Sequence, residues 1–167
     1  PIYLWSQPDW RVMDLDLRGP ALYGSPYDTR GISHPGNNSL ILRNHFTGWK
    51  IGVQHAGSSN GVIIAESIFE NNGNYGMHFG EIDKERAAAI GCEFDGVTRH
   101  AIRTHMSKIL ISHTNFANVP SACLKLAGQN ISQYFIVSDN YFVEGLSPWP
   151  VSIGPQDYRP EAWQHIL

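Results

Sequence analysis

The chain has 167 residues, with 12 Lys and Arg against 15 Asp and Glu, and its formal net charge of −3 gives no reason to expect nucleic acid or an anionic membrane as a partner. Charged residues make up only 16%, below the roughly 25% of an average globular domain, and 16 Gly stand beside frequent Asn and Ser, which favours a turn-rich β protein. No apolar run reaches the ~18 residues that a membrane-spanning helix requires.

Beginning at Pro1, with neither an initiating Met nor a leader, the chain reads as a processed form or a fragment. Its length suits one domain, spanning 1–167, with a substantial buried core. The first strand carries "DLD", Asp14 to Asp16. From there a repeat governs the chain. The lines "ILRNHF", "AESIFENN", "IGCEFDG", "ISHTNFAN" and "VSDNYFVEG" each close an apolar alternation on a phenylalanine: Phe46, Phe69, Phe94, Phe116 and Phe142, at spacings of 23, 25, 22 and 26. After each come a few turn-forming residues and a second line, "IGVQHAG", "YGMHFGE", "HAIRTHM", "ACLKLAG" and "WPVSIGP". Aligning Val53, Met77, Ile102, Leu124 and Val151 gives spacings of 24, 25, 22 and 27. Two independent markers therefore share one period.

Within each line apolar residues alternate with polar or small ones, as at Val62, Ile64 and Ile109, Ile111, which is the period of a strand. No window carries a helical period. Units of this size cannot bury their apolar side alone, so they are expected to stack. Leucine-rich repeats have a similar period, but their Leu-x-x-Leu-x-Leu spacing is missing here.

The period and the two aligned columns resemble the right-handed parallel β-helix, or pectate-lyase-like, superfamily over roughly Trp10 to Gly154. A second, local likeness is carried by "LKL", "VSDN" and "WPVSIGPQ", which are similar to a stretch of uncharacterised bacterial β-helix proteins. The expected fold is all-β: a right-handed parallel β-helix solenoid of about six coils, cut mid-coil at its C-terminal end. The resemblance implies a secreted protein, extracellular or periplasmic, that acts on or binds an acidic polysaccharide.

Residues one repeat apart lie above one another in such a stack. With Val53, Met77, Ile102, Leu124 and Val151 inward, the following residues form an outward column: Gln54, His78, Arg103, Lys125 and Ser152. Small residues stand two positions before them (Gly52, Gly76, Ala101, Cys123, Pro150) and, in most coils, two after (Ala56, Gly80, His105, Ala127, Gly154). The expectation is an open groove between two low walls. Inside, Asn44, Ser67, Cys92, Thr114 and Asn140, each two residues before a Phe, are expected to satisfy buried turn backbone, and the Phe column to stack.

The outward column carries the chemistry. Arg103 over Lys125 is a like-charge pair with no Asp or Glu in its column, a costly arrangement unless an anion compensates. In β-elimination from a uronic-acid polymer, a cation neutralises the sugar carboxylate and a base removes the acidified carbon-bound proton. Arginine suits the carboxylate and is a poor base, whereas a neighbouring cation favours the neutral form of an amine. Arg103 is therefore assigned to the carboxylate, and Lys125 or His78 to the proton. Gln54, His100, His105 and Ser152 are the expected substrate-binding residues. Several β-helix polysaccharide lyases use such a Lys and Arg pair, so the resemblance implies the same. No calcium-type cluster of acids is seen, and no metal or cofactor is expected.

A hydrolase would need two or three converging carboxylates. The acids are instead scattered: Asp14 and Asp16, Glu66 and Glu93, and Glu81, Asp83 and Glu85 with Lys84 and Arg86. Hydrolase or epimerase is the second enzymatic reading, and a binding or spike-like module the non-enzymatic one. His34 and His55 read as inward or turn histidines, both cysteines, Cys92 and Cys123, as packing residues, and Trp5, Trp10, Trp149 and Trp163 as caps on the core or platforms for sugar rings.

Overall fold

The computed structural model describes residues 1–4, 7–20, 29–55, 60–80, 86–106, 108–127, 134–143 and 150–153. Among them every regular element is a strand, and every strand pairing is parallel. Three sheets result. The first is built from Ile2–Tyr3, Arg30–Ser33, Ile51–His55, Tyr75–Phe79, His100–Thr104, Leu124–Leu126 and Val151–Ile153. The second holds Arg11–Met13, Leu40–Leu42, Val62–Ala65, Arg86–Ile90, Lys108–Ser112 and Tyr134–Ser138, and the third Asp16–Arg18, His45–Thr47, Ile68–Glu70, Glu93–Asp95, Asn115–Ala117 and Tyr141–Phe142. The chain visits the sheets in rotation, so each strand pairs with one a full repeat away. That is a parallel β-solenoid, as the repeat predicts.

Side-chain alternation accounts for the core. Ile41, Ile64, Ala89 and Ile111 of the second sheet, and Val53, Met77, Ile102 and Leu124 of the first, are almost completely buried. Phe46, Phe69, Phe94, Phe116 and Phe142 lie ring on ring in the third, with centroids 4.8, 4.8, 5.3 and 4.9 Å apart and planes within 12°. Parallel strands about 4.8 Å apart set that spacing: a ring added once per coil meets its neighbour at van der Waals distance.

The corner before each phenylalanine is equally regular. Asp14, Arg43, Glu66, Gly91, His113 and Asp139 all have positive φ, between 48° and 62°, and turn the chain from the second sheet to the third. A left-handed residue leaves its neighbours' amides facing inward, where they need acceptors. The following column supplies them. Asn44 Oδ1 accepts from Leu15 N, Ser67 Oγ from Asn44 N, Thr114 Oγ1 from Cys92 N and Asn140 Oδ1 from Thr114 N. In return Ser67 Oγ and Thr114 Oγ1 donate to the carbonyls two residues back, Ala65 and Ser112. The small polar column is thus a buried hydrogen-bond ladder, as its composition predicts. Cys92 belongs to it, with Sγ 3.6 Å from Ile64 O and Ile90 O, and burial pushes its thiol up to about 12. Cys123 is likewise buried.

Candidate functional site

The outward column of the first sheet stands in the register its spacing predicts. Ser33 pairs with Gln54, Gln54 with His78, His78 with Arg103, Arg103 with Lys125 and Lys125 with Ser152. Their predecessors Val53, Met77, Ile102 and Leu124 are at most 1% exposed, while Gln54, His78, Arg103, Lys125 and Ser152 are half-buried at the surface.

The expected low walls need correction on one side. Gly52, Gly76, Ala101 and Cys123 do not border the column; they are buried on the core side. A Cβ on Gly52 would lie 2.6 Å from Phe69 Cδ1, and one on Gly76 would press into the ring of Phe94. The chain bends here, so two successive residues face inward. Small side chains at this place make room for the phenylalanine stack, not for a ligand. Strict alternation fails at the bend, and the residue that returns to the outer face lies three positions before the column: Tyr75 and His100.

Those two residues give the site a wall with chemistry. Tyr75 and His100 are register partners whose rings are nearly coplanar in orientation, 8° apart, with centroids 6.0 Å apart. The Tyr75 ring also meets His78 at 5.0 Å, and the guanidinium carbons of Arg99 and Arg103 lie 5.7 and 5.6 Å from its centroid. Arg103 Nη1 donates to the Tyr75 hydroxyl at 2.7 Å. Tyr75 and Arg99 escape the sequence reading because the ladder is followed there by fixed alternation; a tyrosine beside the bend Gly76 is the signal that marks the position.

On the other side His105 packs edge-on against His78, with centroids 6.1 Å apart, and a Cβ on Gly80 would meet the His78 ring at 2.9 Å. Gly80 thus leaves space for the imidazole. Ala127 is buried, and Ala56 and Gly154 of this expected wall lie outside the described residues, as do Trp5, Trp149 and Trp163.

Arg103 and Lys125 relieve their like charge by turning apart. While Arg103 reaches back to Tyr75, Lys125 Nζ donates to Ser152 Oγ at 3.0 Å on the next strand. His100 Nδ1 lies 2.8 Å from the Ala122 carbonyl oxygen. Burial holds His100 below the usual imidazole range, against the pull of the Ala122 carbonyl and with help from Arg99, Arg103 and Lys125; burial and then Arg103 do the same for His105. Both rings therefore stay neutral at neutral pH. Arg103 Nε and Gln54 Oε1 are buried without a hydrogen-bond partner among the described residues. One is a donor and the other an acceptor, on the same outward column.

Of the carboxylates considered for hydrolysis, Asp14 and Asp16 are engaged elsewhere. Asp14 takes Arg43 through two hydrogen bonds, of 2.7 and 3.0 Å, and Asp16 takes Arg18 and lies 3.6 Å from His45. Glu66 stands at a left-handed corner, Glu93 on the third sheet, and Glu81, Asp83, Lys84 and Glu85 outside the described residues. Among the described residues no group of three or more His, Cys, Asp or Glu is placed to hold a metal ion. His34, at φ 56°, is a turn residue, and His55 is fully buried, in keeping with their sequence positions. No protein-family model, curated protein or solved structure matches the chain.

Proposed function

We propose that the outward face of the first sheet binds an acidic polysaccharide and cleaves it by β-elimination, as a secreted, right-handed, pectate-lyase-like β-helix protein. One observation carries this reading: Arg103 and Lys125 stand in register on the outward sheet face with no carboxylate partner among the described residues, and the Arg103 Nε–H is buried without an acceptor among them. A uronate supplies the missing counter-charge, and an acceptor for Arg103 Nε once the side chain turns outward to meet it.

In the proposed reaction Arg103 pairs with the sugar carboxylate, and its bond to Tyr75 fixes the guanidinium plane. Lys125, or His78 on the opposite side of Arg103, takes the proton from the carbon bearing the carboxylate. The electrons of that C–H bond form a carbon–carbon double bond with the neighbouring carbon. The glycosidic C–O bond at that neighbour breaks, and the departing oxygen gains a proton from solvent or a neutral acid. Gln54 Oε1, buried without a partner among the described residues, would accept from a sugar hydroxyl after a turn of its side chain, and His100, His105 and Ser152 border the path. Among the described residues no carboxylate pair converges on this face, which places hydrolysis behind elimination.

The deciding experiment incubates the chain with alginate, polygalacturonate, chondroitin and hyaluronan and follows the ultraviolet absorbance of newly formed unsaturated uronates. A rise on at least one polymer is expected. Binding without any rise would move the protein to the carbohydrate-binding reading, and reducing-end release without absorbance would move it to hydrolysis.

A further inference from the structure

The outward face of the second sheet is apolar in a way that sheet geometry does not require. Leu40, Ile63, Ala88, Leu110 and Ile136 form one register row, and Met13, Leu42, Ala65 and Ile90 continue into Ser112 and Ser138 in the next. Met13, Ile63 and Ile136 are 42, 42 and 45% exposed. Apart from Arg11 at the head of the first row, no charged residue enters either row. The first and third sheets, by contrast, carry Arg, Lys, His, Asp and Glu at such positions.

A face six strands wide, at ~4.8 Å per strand and about five residues of ~3.3 Å long, covers roughly 450 Å² in projection. That lies within the ~300–600 Å² of the largest patch on a typical monomer, a patch that is often functional, and the charged borders add to it towards the ~800 Å² per partner of a standard interface. Among the described residues the borders are charged with opposite sign. Where the strands begin, Arg86 and Lys108 are exposed register neighbours. Where they end, Asp14 and Arg43 neutralise one another and leave exposed Glu66 and Asp139.

We infer that this face pairs with the same face of a second copy of the chain, about a two-fold axis parallel to the solenoid axis. Such an axis runs the strands of the two sheets in opposite directions across the interface. It sets the basic border of each copy against the acidic border of the other. Arg86 then meets Glu66, and Lys108 meets Asp139, each offset by one coil, about 4.8 Å, which long side chains span. A patch that carries both halves of its own charge pattern is the signature of an isologous contact. The first sheet, with the proposed polysaccharide site, stays open in the pair.

Sedimentation equilibrium from about 1 to about 100 µM chain tests this. The expected mass at the upper end is twice the 18.7 kDa of the chain. Ile63→Glu and Leu110→Glu, both at outward positions, are expected to give a monomer with an unchanged β-type circular dichroism spectrum. Lys108→Glu, which touches no core position, is expected to weaken dimerisation at least ~10-fold, and Lys108→Glu with Asp139→Lys to restore it. A native chain that stays monomeric throughout overturns the proposal, and so does a dimer indifferent to Ile63→Glu and Lys108→Glu. A monomer that instead binds neutral phospholipid vesicles through Ile63 would overturn it in favour of a lipid surface.

Discussion

Arg103 and Tyr75 are joined by a 2.7 Å hydrogen bond between strands one repeat apart, and the guanidinium carbon also lies 5.6 Å from the Tyr75 ring centroid. The tyrosine hence holds Arg103 twice, through its hydroxyl and through its π face. Arginine's rigid fork gains from being oriented, since a bidentate contact requires a fixed plane.

Tyr75→Phe separates the two. The ring, its contact with His100 and the cation–π geometry stay, and only the hydroxyl acceptor goes. That bond exists in the free protein, where a hydrogen bond to a charged group is worth about 1.5–3 kcal/mol, so the melting temperature should fall, and affinity for a uronate oligomer should fall by less than the bond's full worth, because the ligand must then orient Arg103 itself. Isothermal titration of the variant measures this. An unchanged affinity would mean that Arg103 is oriented by the ligand alone.

Two glycines distinguish a packing requirement from a conformational one. A side chain at Gly76 would run into the Phe94 ring, which has no slack within a stack of rings 4.8 and 5.3 Å apart. Gly76→Ala should therefore cost about 1–3 kcal/mol. Gly91 has φ 62°, but its column also accepts Asp14, Arg43, Glu66, His113 and Asp139, and a Cβ there would meet nothing nearer than Glu66 Cγ at 3.7 Å. Gly91→Asn should be close to neutral. Urea denaturation of both variants reads the difference, and an order reversed from this one would place the strain at the corner instead.

The same contrast explains what could be read from the sequence. The Phe column, the Asn44 to Asn140 ladder and the Gln54 to Ser152 register were legible because each depends only on spacing, and a solenoid turns spacing into position. The wall of the candidate site was not legible. Gly52 and Gly76 look like small surface residues, yet they face the core because the backbone bends, and a one-residue change of phase inverts inside and outside. Tyr75 and Arg99 are missed for the same reason. His78 and His105 lie close in space through a contact between neighbouring coils that no single line of sequence contains.

The buried histidines make stability depend on pH. Folding holds His100 and His105 below the ordinary imidazole value of about 6.5, so the unfolded chain binds more protons in the window just below it, and stability falls as pH drops through that window. The favourable contribution is complete above the unfolded value and declines towards the folded one. The melting temperature should therefore decrease from about pH 7.5 to about pH 5, and His100→Gln should flatten the profile. Calorimetry at several pH values tests the sign. A profile for His100→Gln as steep as the native one would locate the dependence in other groups.

Lys125 and Arg103 have different tasks in the proposed elimination, and their variants should fail differently. Arg103 supplies charge and a planar fork to the ground state as well as to the transition state, so Arg103→Lys should raise KM and lower kcat together. Lys125 acts on the proton, which matters at the barrier. Lys125→Ala should lower kcat by roughly 100-fold or more while polymer binding stays largely intact. Its bond to Ser152 at 3.0 Å supplies a control: Ser152→Ala removes the acceptor that directs the amine away from Arg103, without removing the amine. If Lys125 is the base, Ser152→Ala should alter kcat by less than about 10-fold, since the amine keeps its reach. Full activity in Lys125→Ala would transfer the proton to His78, the residue on the other side of Arg103 in the same column. His78→Ala in that background would then abolish turnover, and the polarity of the site along the solenoid would be the reverse of the one proposed.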